Sequence, residues 1–401
     1  MKKIMTAILV IALSLSVFTI FTACGEKPIN GIELSGSVIN EGAIKNGSAL
    51  PDDLKVAFVY SDGSKSESKQ VTSDMISGFD TSTDGRKTAT VTYEGYTATF
   101  DYRVYTNDVQ LKFYDGAGTE KSPYLITTAE ELQNISLATD AYFRLELDID
   151  MKGVEWTPVG NNVDEEAGFS GNFDGNGRTI SNLSITDIKS ADWTEYEYKN
   201  TYNYAGMFGV NNGTISNLTL ENCTVNVTDS SLDQRGDVYA GVLVGQNFGD
   251  ITGVTVKNSN IGATAWLICS AGALVGSNVG DIDLCNVESC EVSATSDGWT
   301  ANAGGVVGAS GDRLYYTTAA SVTGSSAKGC TVYSEVKGAV STSDIDYPSE
   351  TTYFGRVYCG GIGGLKVNTT YSNNTYENND ITVKSYASGE NIEFVGDEWG
   401  Y

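Results

Sequence analysis

The sequence contains no histidine and only five prolines among its 401 residues. The absence of histidine excludes Ser/His/Asp and Cys/His catalytic relays, HExxH zinc sites and imidazole general bases. Basic residues are scarce as well, because 25 Lys and Arg stand against 51 Asp and Glu and give a net charge of −26. Binding to a nucleic-acid backbone requires clustered cations, so we expect no nucleic-acid partner.

Glycine is abundant, with 45 residues, and the chain is also rich in Thr, Ser, Asn, Val and Tyr. This composition is typical of strands and turns rather than helices. A length of 401 residues favours more than one domain. We therefore expect an all-β protein with at least two structural units.

The first 23 residues have the order of an export signal. Lys2 and Lys3 precede an apolar run from residue 4 to residue 21, and small residues then lead to Cys24. This pattern resembles a bacterial lipoprotein signal, which implies that Cys24 is lipidated and becomes the mature N-terminus, with residues 24–27 as a short tether. A single transmembrane anchor is the alternative. Either reading predicts an exported, surface-exposed chain held at a membrane of the bacterial cell envelope.

Six further cysteines all lie beyond residue 220. Cys223, Cys290 and Cys330 occupy the same place in the segments ENCTV, ESCEV and KGCTV, which indicates a column of small, inward side chains. Buried thiols are the first expectation for the six, and disulfides are the alternative. A CxxC motif is absent from the sequence, so a zinc site is not expected.

Residues 28–106 have the alternating pattern of short β-strands. LKVAFVY (54–60) is followed by the turn SDGS (61–64), and TATVTYEGYTATFDYRV (88–104) predicts two strands joined at Glu94 and Gly95. Strands of this length over about eighty residues indicate a small β-sandwich. The segment resembles the bacterial immunoglobulin-like domains of cell-surface proteins, and the resemblance implies a spacer or a weak adhesive module.

A short amphipathic helix is predicted at the start of the second unit, 107–401. Thr127 or Thr128 is placed to cap it, and Glu130 or Glu131 to complete a capping box. Leu132 and Ile135 would then lie on its apolar side. Such a helix before a long β region would shield the open end of a solenoid core.

The motif GxNxG recurs at residues 209–213, 245–249 and 276–280, at spacings of 36 and 31 residues. An isoleucine and a short strand-like segment follow each copy. Looser copies begin at Gly304 and Gly360, and a partial copy covers 168–185. Self-similarity at this period predicts a parallel β-solenoid with coils about 4.8 Å apart, because a single repeat cannot bury its own Val and Ile side chains.

The glycines and asparagines of the repeat are predicted to form the corners of each coil. We expect the glycines to turn the chain at positive φ, and the asparagines to stack as an amide ladder along the axis. The predicted corner and ladder residues are Gly209, Asn211, Gly213, Gly245, Asn247, Gly249, Gly276, Asn278 and Gly280. A second ladder is predicted for Asn222, Asn258 and Asn378, with ordinary exposed turns as the alternative.

The second unit resembles the GLUG-motif proteins of bacterial surfaces. The matching segments are GAGTEKSPYLITTAEEL (116–132), DIDM (148–151), WTPVG (156–160), FSGNFDGNGRTISNL (169–183) and GMFGVNNGTISNL (206–218). The match is close through residue 282 and looser beyond residue 308. The resemblance implies a right-handed parallel β-helix with a surface role in adhesion or matrix binding and without catalytic residues.

Two aromatic-rich insertions, 186–204 and 340–358, interrupt the repeat. Aromatic rings among acids and amides suit stacking on sugar faces or gripping a peptide. The predicted ligand-binding residues are Trp193, Tyr196, Tyr198, Tyr202, Tyr204, Tyr347 and Tyr353. Packing of these rings against their own coils is the alternative.

Carboxylates provide candidates for catalysis and for calcium. Polysaccharide cleavage on such a fold would need paired acids, and the candidates are Asp148, Asp150, Asp164, Glu165, Glu166, Asp344 and Asp346. The segments DIDMKG and FDGNG offer oxygen ligands for Ca²⁺ but lack the spacing of an EF-hand loop. No other cofactor is expected.

The sequence therefore favours a non-catalytic, membrane-anchored binding or adhesion protein for an extracellular carbohydrate or protein. The alternatives are a structural component of the cell envelope and, less favoured, a polysaccharide-degrading enzyme.

Overall fold

The computed structural model describes residues 27–160, 168–186, 191–193, 200–229, 236–311, 320–337, 339–341, 352–354, 356–385, 393–396 and 399–400. Cys24 and the predicted signal segment lie outside these ranges. Within them the chain is all-β, as predicted, with an immunoglobulin-like sandwich followed by stacked parallel sheets that form a β-helix.

Two small sheets form the sandwich. The first contains, in spatial order, Ile29–Ser35, Lys55–Tyr60 and Lys69–Gln70. The second contains Ala43–Lys45, Tyr96–Tyr105, Gly85–Tyr93 and Ile76–Ser77. The predicted hairpin is confirmed: Glu94 and Gly95 have φ of 50° and 84°, as a two-residue turn with positive φ at both positions requires. Leu54, Val56, Val91 and Val104 fill the space between the sheets.

In the described ranges the helices are few and short. They are Ser37–Glu41, Asn107–Gln110 and Ala129–Gln133, and the last continues into a 3₁₀ turn, Asn134–Leu137. Thr128 and Glu131 form the predicted capping box, in which the Glu131 amide donates to Thr128 Oγ1 at 3.2 Å and the Thr128 amide donates to Glu131 Oε2 at 3.0 Å. Among the described residues, none of the helices has the length and apolar character needed to cross a membrane.

Each complete coil of the β-helix contains five short strands. In the first complete coil these are Phe208–Asn211, Thr214–Ser216, Thr219–Glu221, Thr224–Asp229 and Asp237–Ala240. We call the five parallel sheets that contain them sheets I to V, in that order. The next coil begins at Val244, directly above Phe208.

The strands of the five sheets are as follows. Sheet I contains Phe208–Asn211, Val244–Asn247, Val275–Asn278, Val307–Ser310, Gly363–Lys366 and Trp399–Gly400. Sheet II contains Tyr124–Ile126, Tyr142–Leu145, Asn172–Asp174, Thr214–Ser216, Asp250–Thr252, Asp281–Asp283, Ala320–Thr323 and Thr369–Ser372. Sheet III contains Ile149–Asp150, Thr179–Ser181, Thr219–Glu221, Thr255–Lys257, Asn286–Glu288, Ser326–Lys328 and Thr375–Glu377.

Sheets IV and V complete each coil. Sheet IV contains Ser184–Ile185, Thr224–Asp229, Asn260–Ala265, Glu291–Ser296, Thr331–Val336 and Asp380–Ser385. Sheet V contains Ala191–Trp193, Asn200–Ala205, Asp237–Ala240, Ile268–Gly272, Thr300–Gly304, Arg356–Gly360 and Glu393–Gly396. Its first pair is antiparallel, and a separate hairpin joins Ala339–Ser341 to Thr352–Phe354.

The register of sheet I confirms the predicted solenoid. Asn211 is paired with Asn247, and Asn247 with Asn278, so the three GxNxG copies lie on consecutive coils. The isoleucine after each copy is stacked in the same way in sheet II, where Ile215, Ile251 and Ile282 are fully buried. Burying such a side chain contributes roughly 1.5–3 kcal/mol, so the stacked rows supply the core that one repeat lacks.

The expectation that the motif glycines adopt positive φ is wrong. Gly213, Gly249 and Gly280 do not have positive φ. They are needed because the coils approach closely: a Cβ on Gly249 would lie 2.0 Å from the carbonyl oxygen of Gly213, and one on Gly280 would lie 2.1 Å from that of Gly249. Only hydrogen fits between these backbones.

Positive φ instead occurs at two other corners. The residues between sheets II and III include Asn217, Gly253, Leu284 and Gly324, and those between sheets III and IV include Asn222, Asn258, Ser289, Gly329 and Asn378. The predicted second amide ladder is therefore also wrong, because Asn222, Asn258 and Asn378 are exposed turn residues. Asparagine tolerates this left-handed conformation better than other residues with a Cβ.

Candidate ligand-binding site

Sheet V has an inner and an outer row of side chains. Val238, Cys269, Ala301 and Val357 are paired along the sheet and point into the core. Neighbouring side chains in a strand point to opposite faces, so the residue after each of these lies on the other face. These residues form what we call the outer row: Tyr204, Tyr239, Ser270, Asn302 and Tyr358.

Two tyrosines begin the outer row. The rings of Tyr204 and Tyr239 are stacked, with centroids 5.6 Å apart and planes 27° from parallel. Tyr204 is 9% exposed, whereas Tyr239 is partly exposed. The parallel register of neighbouring coils brings the rings together, since Tyr204 and Tyr239 are directly paired. The pair presents an aromatic surface that meets solvent on the Tyr239 side.

Asp237 lies beside this ring pair, on the same strand and face as Tyr239. Its Oδ1 accepts a hydrogen bond from the Ile268 amide at 3.1 Å, and the Tyr239 hydroxyl lies 3.5 Å from Oδ2. Burial raises the pKa of Asp237 to about 7, and the negative charge of Asp229 acts in the same direction. Near neutral pH this carboxyl can therefore either donate or accept a hydrogen bond.

Asn203, on the inner face of sheet V, connects the strand that ends at Asp229 with the strand that begins at Asp237. Its Nδ2 donates to Asp229 Oδ2 at 2.8 Å and to the backbone oxygen of Asp237 at 3.3 Å. Asn203 is 2% exposed, so these hydrogen bonds are shielded from water. The amide fixes the end of sheet IV against the start of sheet V and thereby positions Asp237 beside the tyrosines.

Farther along the row, the side-chain oxygen of Asn302 has no hydrogen-bond partner. Its Nδ2 donates to Ser270 Oγ at 2.8 Å and to the Cys269 carbonyl at 3.3 Å. Its Oδ1 is buried and accepts no hydrogen bond. A buried acceptor left unsatisfied costs about 1–3 kcal/mol. Ser270, Asn302 and Tyr358 are 0%, 1% and 7% exposed, so the part of the outer row that a ligand can reach is the tyrosine pair with Asp237.

The structure places the predicted aromatic residues in different positions. Tyr204 is part of the outer row, and Tyr202 is paired in register with Asp237. Trp193 belongs to the antiparallel strand beside Asn200, and Tyr353 to the separate hairpin. Tyr196, Tyr198 and Tyr347 lie outside the described residues.

Tyr239, Asp237, Ser270, Asn302 and Tyr358 were not predicted as site residues from the sequence. A signal for the outer row was present, because each member stands two residues before the glycine that ends its strand region. In the copies these segments are YAG, YAG, SAG, NAG and YCG. Aligning the repeats on that glycine, rather than on GxNxG, reveals the row.

The asparagines of GxNxG form a buried ladder. Asn211 Nδ2 donates to Asn247 Oδ1 at 2.7 Å, and Asn247 Nδ2 donates to Asn278 Oδ1 at 2.8 Å. Asn247 Nδ2 also donates to the Gly249 carbonyl at 2.9 Å, which ties the turn to the ladder. All three side chains are fully buried, so they stabilise the fold rather than bind a ligand.

The described candidate carboxylates for catalysis or calcium accept hydrogen bonds, two of them between neighbouring coils and one within a turn. Asp148 Oδ1 accepts from the Thr179 amide at 2.8 Å, and Asp150 Oδ1 accepts from Asn182 Nδ2 at 2.8 Å. Asp174 Oδ1 accepts from the Asn176 amide at 2.9 Å. Asp164, Glu165, Glu166, Asp344 and Asp346 lie outside the described residues. Within the described part of the chain, no group of three or more His, Cys, Asp or Glu side chains could hold a metal ion.

Comparisons with known proteins identify the sandwich and two partial relatives. Residues 48–104 match the family of bacterial Ig-like domains, group 3. The chain is 34% identical over 187 residues to halomucin of Haloquadratum walsbyi, covering 43% of this chain and 2% of halomucin. It is 32% identical over 155 residues to a protein of Evansella cellulosilytica provisionally named a Gly-rich membrane protein, covering 36% of this chain and 16% of that protein.

One solved structure is also similar. It belongs to a Bacteroides ovatus protein with the provisional name immunoglobulin A1 protease. The alignment has a TM-score of 0.35 and 20% sequence identity, and covers 71% of this chain and 87% of that chain.

Proposed function

We propose that the protein is a non-catalytic binding protein of the bacterial cell surface, exported and anchored by lipid on Cys24. The signal-like sequence before Cys24 supports export and anchoring. The GLUG-like repeats and the immunoglobulin-like domain support a surface role, with the sandwich as a spacer between membrane and β-helix. The relative named as a membrane protein is in keeping with this location.

The ligand-binding site is the first part of the outer row of sheet V, formed by Tyr204, Tyr239 and Asp237, and the ligand is a carbohydrate. The stacked rings of Tyr204 and Tyr239, with Asp237 at their side, carry this proposal. Sugar rings have apolar faces that stack on aromatic side chains and hydroxyl groups that need hydrogen-bond partners at the edge. Asp237 can serve as such a partner in either protonation state.

Farther along the row the side chains are closed to solvent. Asn302 is two coils beyond Tyr239 in the register and is 1% exposed, and Ser270 between them is 0% exposed. The binding surface is therefore limited to the tyrosine pair and Asp237, a size that suits a single sugar unit or the end of a glycan chain.

A glycan array tests the proposal, with the chain from residue 25 to residue 401 as the probe and a panel of matrix proteins alongside. We expect binding to a defined set of glycans, and a loss of at least tenfold in affinity for Tyr239→Ala, because the ring supplies the stacking surface. Tyr333→Ala is the matched control. Tyr333 is a partly exposed tyrosine on sheet IV whose hydroxyl is 2.7 Å from Glu335, and we expect unchanged binding.

Three results would contradict the proposal. Binding to no glycan would favour a structural role in the envelope. Binding to a matrix protein alone would replace the carbohydrate with a protein ligand. Release of sugar from a polysaccharide would identify an enzyme, and Asp148→Asn and Asp150→Asn would then test the carboxylates.

A further inference from the structure

Two of the buried cysteines lie on neighbouring coils at the same corner. Cys290 and Cys330 follow the positive-φ residues Ser289 and Gly329, between sheets III and IV. The residues on both sides are paired in register, Glu288 with Lys328 and Glu291 with Thr331. The Thr331 amide donates to the Cys290 carbonyl at 2.9 Å, so the two coils are also in direct backbone contact here.

This placement meets the geometric requirement for a disulfide. Strands paired in a sheet lie about 4.8 Å apart, and disulfide-bonded cysteines have Cα atoms about 4.4–6.8 Å apart. Both side chains are 1% exposed and face the same interior. Both are free thiols in the structure: Cys290 Sγ donates to the Glu288 carbonyl at 3.4 Å and Cys330 Sγ to the Lys328 carbonyl at 3.6 Å, so a bridge requires the two side chains to turn toward each other.

The other buried cysteines do not have a cysteine beside them in the register. Cys223 is followed at its corner by Ser259, whose hydroxyl accepts from the Cys223 amide at 3.0 Å. Cys285 is followed by Ser325, whose hydroxyl accepts from the Cys285 amide at 3.2 Å. In sheet V, Cys269 is paired with Ala301 and Cys359 with Ala303.

We propose that Cys290 and Cys330 form a disulfide that covalently joins two neighbouring coils of the β-helix. Its formation in the cell depends on the export proposed above, because disulfides persist in oxidising compartments. The bridge stabilises the middle of the solenoid by restricting the unfolded chain between residues 290 and 330.

The chemistry is thiol–disulfide exchange with a disulfide as the oxidant. The Cys330 thiolate attacks the oxidant, forms a mixed disulfide and releases one thiolate. The Cys290 thiolate then attacks the Cys330 sulfur and releases the second thiol, so two protein thiols are oxidised and one disulfide is reduced to two thiols. Both thiols are buried in the folded protein, so the exchange takes place while this part of the chain folds.

Mass spectrometry of the full chain tests the bridge in two samples. One is purified in detergent from exporting bacterial cells with free thiols alkylated at lysis, and the other is reduced and refolded with oxidised glutathione. We expect both to lose the mass of two hydrogen atoms and to yield one linked peptide that contains Cys290 and Cys330.

Serine variants separate this pair from the other cysteines. Cys290→Ser and Cys330→Ser must each abolish the linked peptide, whereas Cys223→Ser and Cys285→Ser must leave it intact. Serine already occupies the equivalent corner position at Ser259 and Ser325, so these variants are expected to fold. Circular dichroism checks that they do.

The outcomes distinguish the two proposals. Absence of the linked peptide from both samples, or a bridge to Cys223 or Cys285, would overturn the disulfide. A bridge in the refolded chain that is absent from the cell-derived chain would contradict export to an oxidising compartment. Glycan binding does not depend on either result.

Discussion

Arg103 of the sandwich donates a hydrogen bond to Asp140 of the β-helix, with Nη1 and Oδ1 2.7 Å apart. The second oxygen of Asp140 accepts from the Arg86 amide at 3.2 Å, and the Arg86 guanidinium lies 4.8 Å from the centroid of the Tyr142 ring. The Thr119 hydroxyl adds a hydrogen bond to the Glu41 carbonyl at 2.8 Å. The two domains therefore share a polar interface with a buried cation at its centre.

Removing the anion from this interface should destabilise the protein. The Arg103 side chain is only 6% exposed, so Asp140→Ala leaves a buried cation without its partner. Breaking a fully buried pair costs about 3–5 kcal/mol. Because Asp140 is 34% exposed, we expect a smaller loss, about 2 kcal/mol, in the free energy of unfolding by urea.

The matched control for Asp140→Ala is Glu33→Ala. Glu33 pairs with Lys65 at 2.7 Å, but the side chains are 50% and 53% exposed. Such surface pairs contribute about 0.2–1 kcal/mol. Equal effects of the two substitutions would show that the domain interface does not stabilise the fold.

The interface pair should also make the protein sensitive to acid. Burial acts to raise the pKa of Asp140, but the charge and hydrogen bond of Arg103 outweigh it, so the net shift is downward from 3.8. A lowered pKa in the folded state means that the stabilisation is complete above the unfolded pKa and is lost as the pH falls through the folded one. Thermal unfolding between pH 7 and pH 2 should show a steeper acid-induced loss in wild type than in Asp140→Ala.

Removing the central asparagine of the amide ladder should destabilise the protein strongly. Asn247→Ala removes the acceptor for Asn211 Nδ2 and the donor for Asn278 Oδ1, both buried. Each unsatisfied buried group costs about 1–3 kcal/mol, so we expect a loss of about 3 kcal/mol in unfolding free energy. Asn226→Ala, at an exposed position of sheet IV, should change it by less than about 0.5 kcal/mol. A loss at position 247 as small as that at 226 would refute the energetic role of the ladder.

Close approach of coils predicts the effect of adding one methyl group. Gly249→Ala places a Cβ 2.0 Å from the Gly213 carbonyl oxygen, and the neighbouring coils would have to separate. We expect a loss of about 3 kcal/mol or more in unfolding free energy, at the upper end for overpacking. Gly31→Ala is the control, since a Cβ there meets no atom within 4 Å. Differential scanning calorimetry of both variants measures the effect. If Gly249→Ala unfolds at the same temperature as Gly31→Ala, the close approach of the coils at Gly249 is wrong.

The contribution of Asp237 to stability should depend on pH with the opposite sign to that of Asp140. Its pKa is raised from 3.8 to about 7, so the folded state binds a proton more readily than the unfolded state. The associated stabilisation is complete below pH 3.8 and is lost as the pH rises through about 7. Asp237→Asn should therefore be more stable than wild type at pH 8, by about 2 kcal/mol, and the difference should shrink at pH 5.

The measurement for Asp237 is the difference in Tm between variant and wild type across this range. Asp250→Asn, at an exposed position of sheet II, is the control and should show no such trend. A difference between Asp237→Asn and wild type that stays constant from pH 5 to pH 8 would mean that the Asp237 carboxyl does not titrate there.

Local patterns were sufficient to predict the fold class and several elements. The spacing of GxNxG predicted that residues 211, 247 and 278 share a corner, because stacking the copies buries the apolar residues of every repeat at once. The capping box at Thr128 and Glu131 was readable for a similar reason, since both partners lie within four residues. These interactions depend on short-range sequence or on its exact repetition.

The roles of the corner residues could not be read in the same way. Gly249 and Gly253 are both turn glycines in the sequence, yet only Gly253 has positive φ. A side chain at position 249 would collide with the carbonyl oxygen of Gly213, which is 36 residues earlier in the chain. The difference between the two glycines depends on the distance between neighbouring coils, and the sequence of one coil gives no information about that distance.

The amino-acid sequence by itself determined an all-β chain, a repeating coil, the capping box at Thr128 and Glu131 and the stacking of asparagines, because each follows from periodicity or from neighbouring residues. The tertiary structure alone decided that Tyr239 stacks on Tyr204 beside Asp237, that Arg103 is neutralised by Asp140, and that Cys290 adjoins Cys330. These pairs are created by the register between coils and the docking of two domains, and burial then sets their charge and hydrogen bonding.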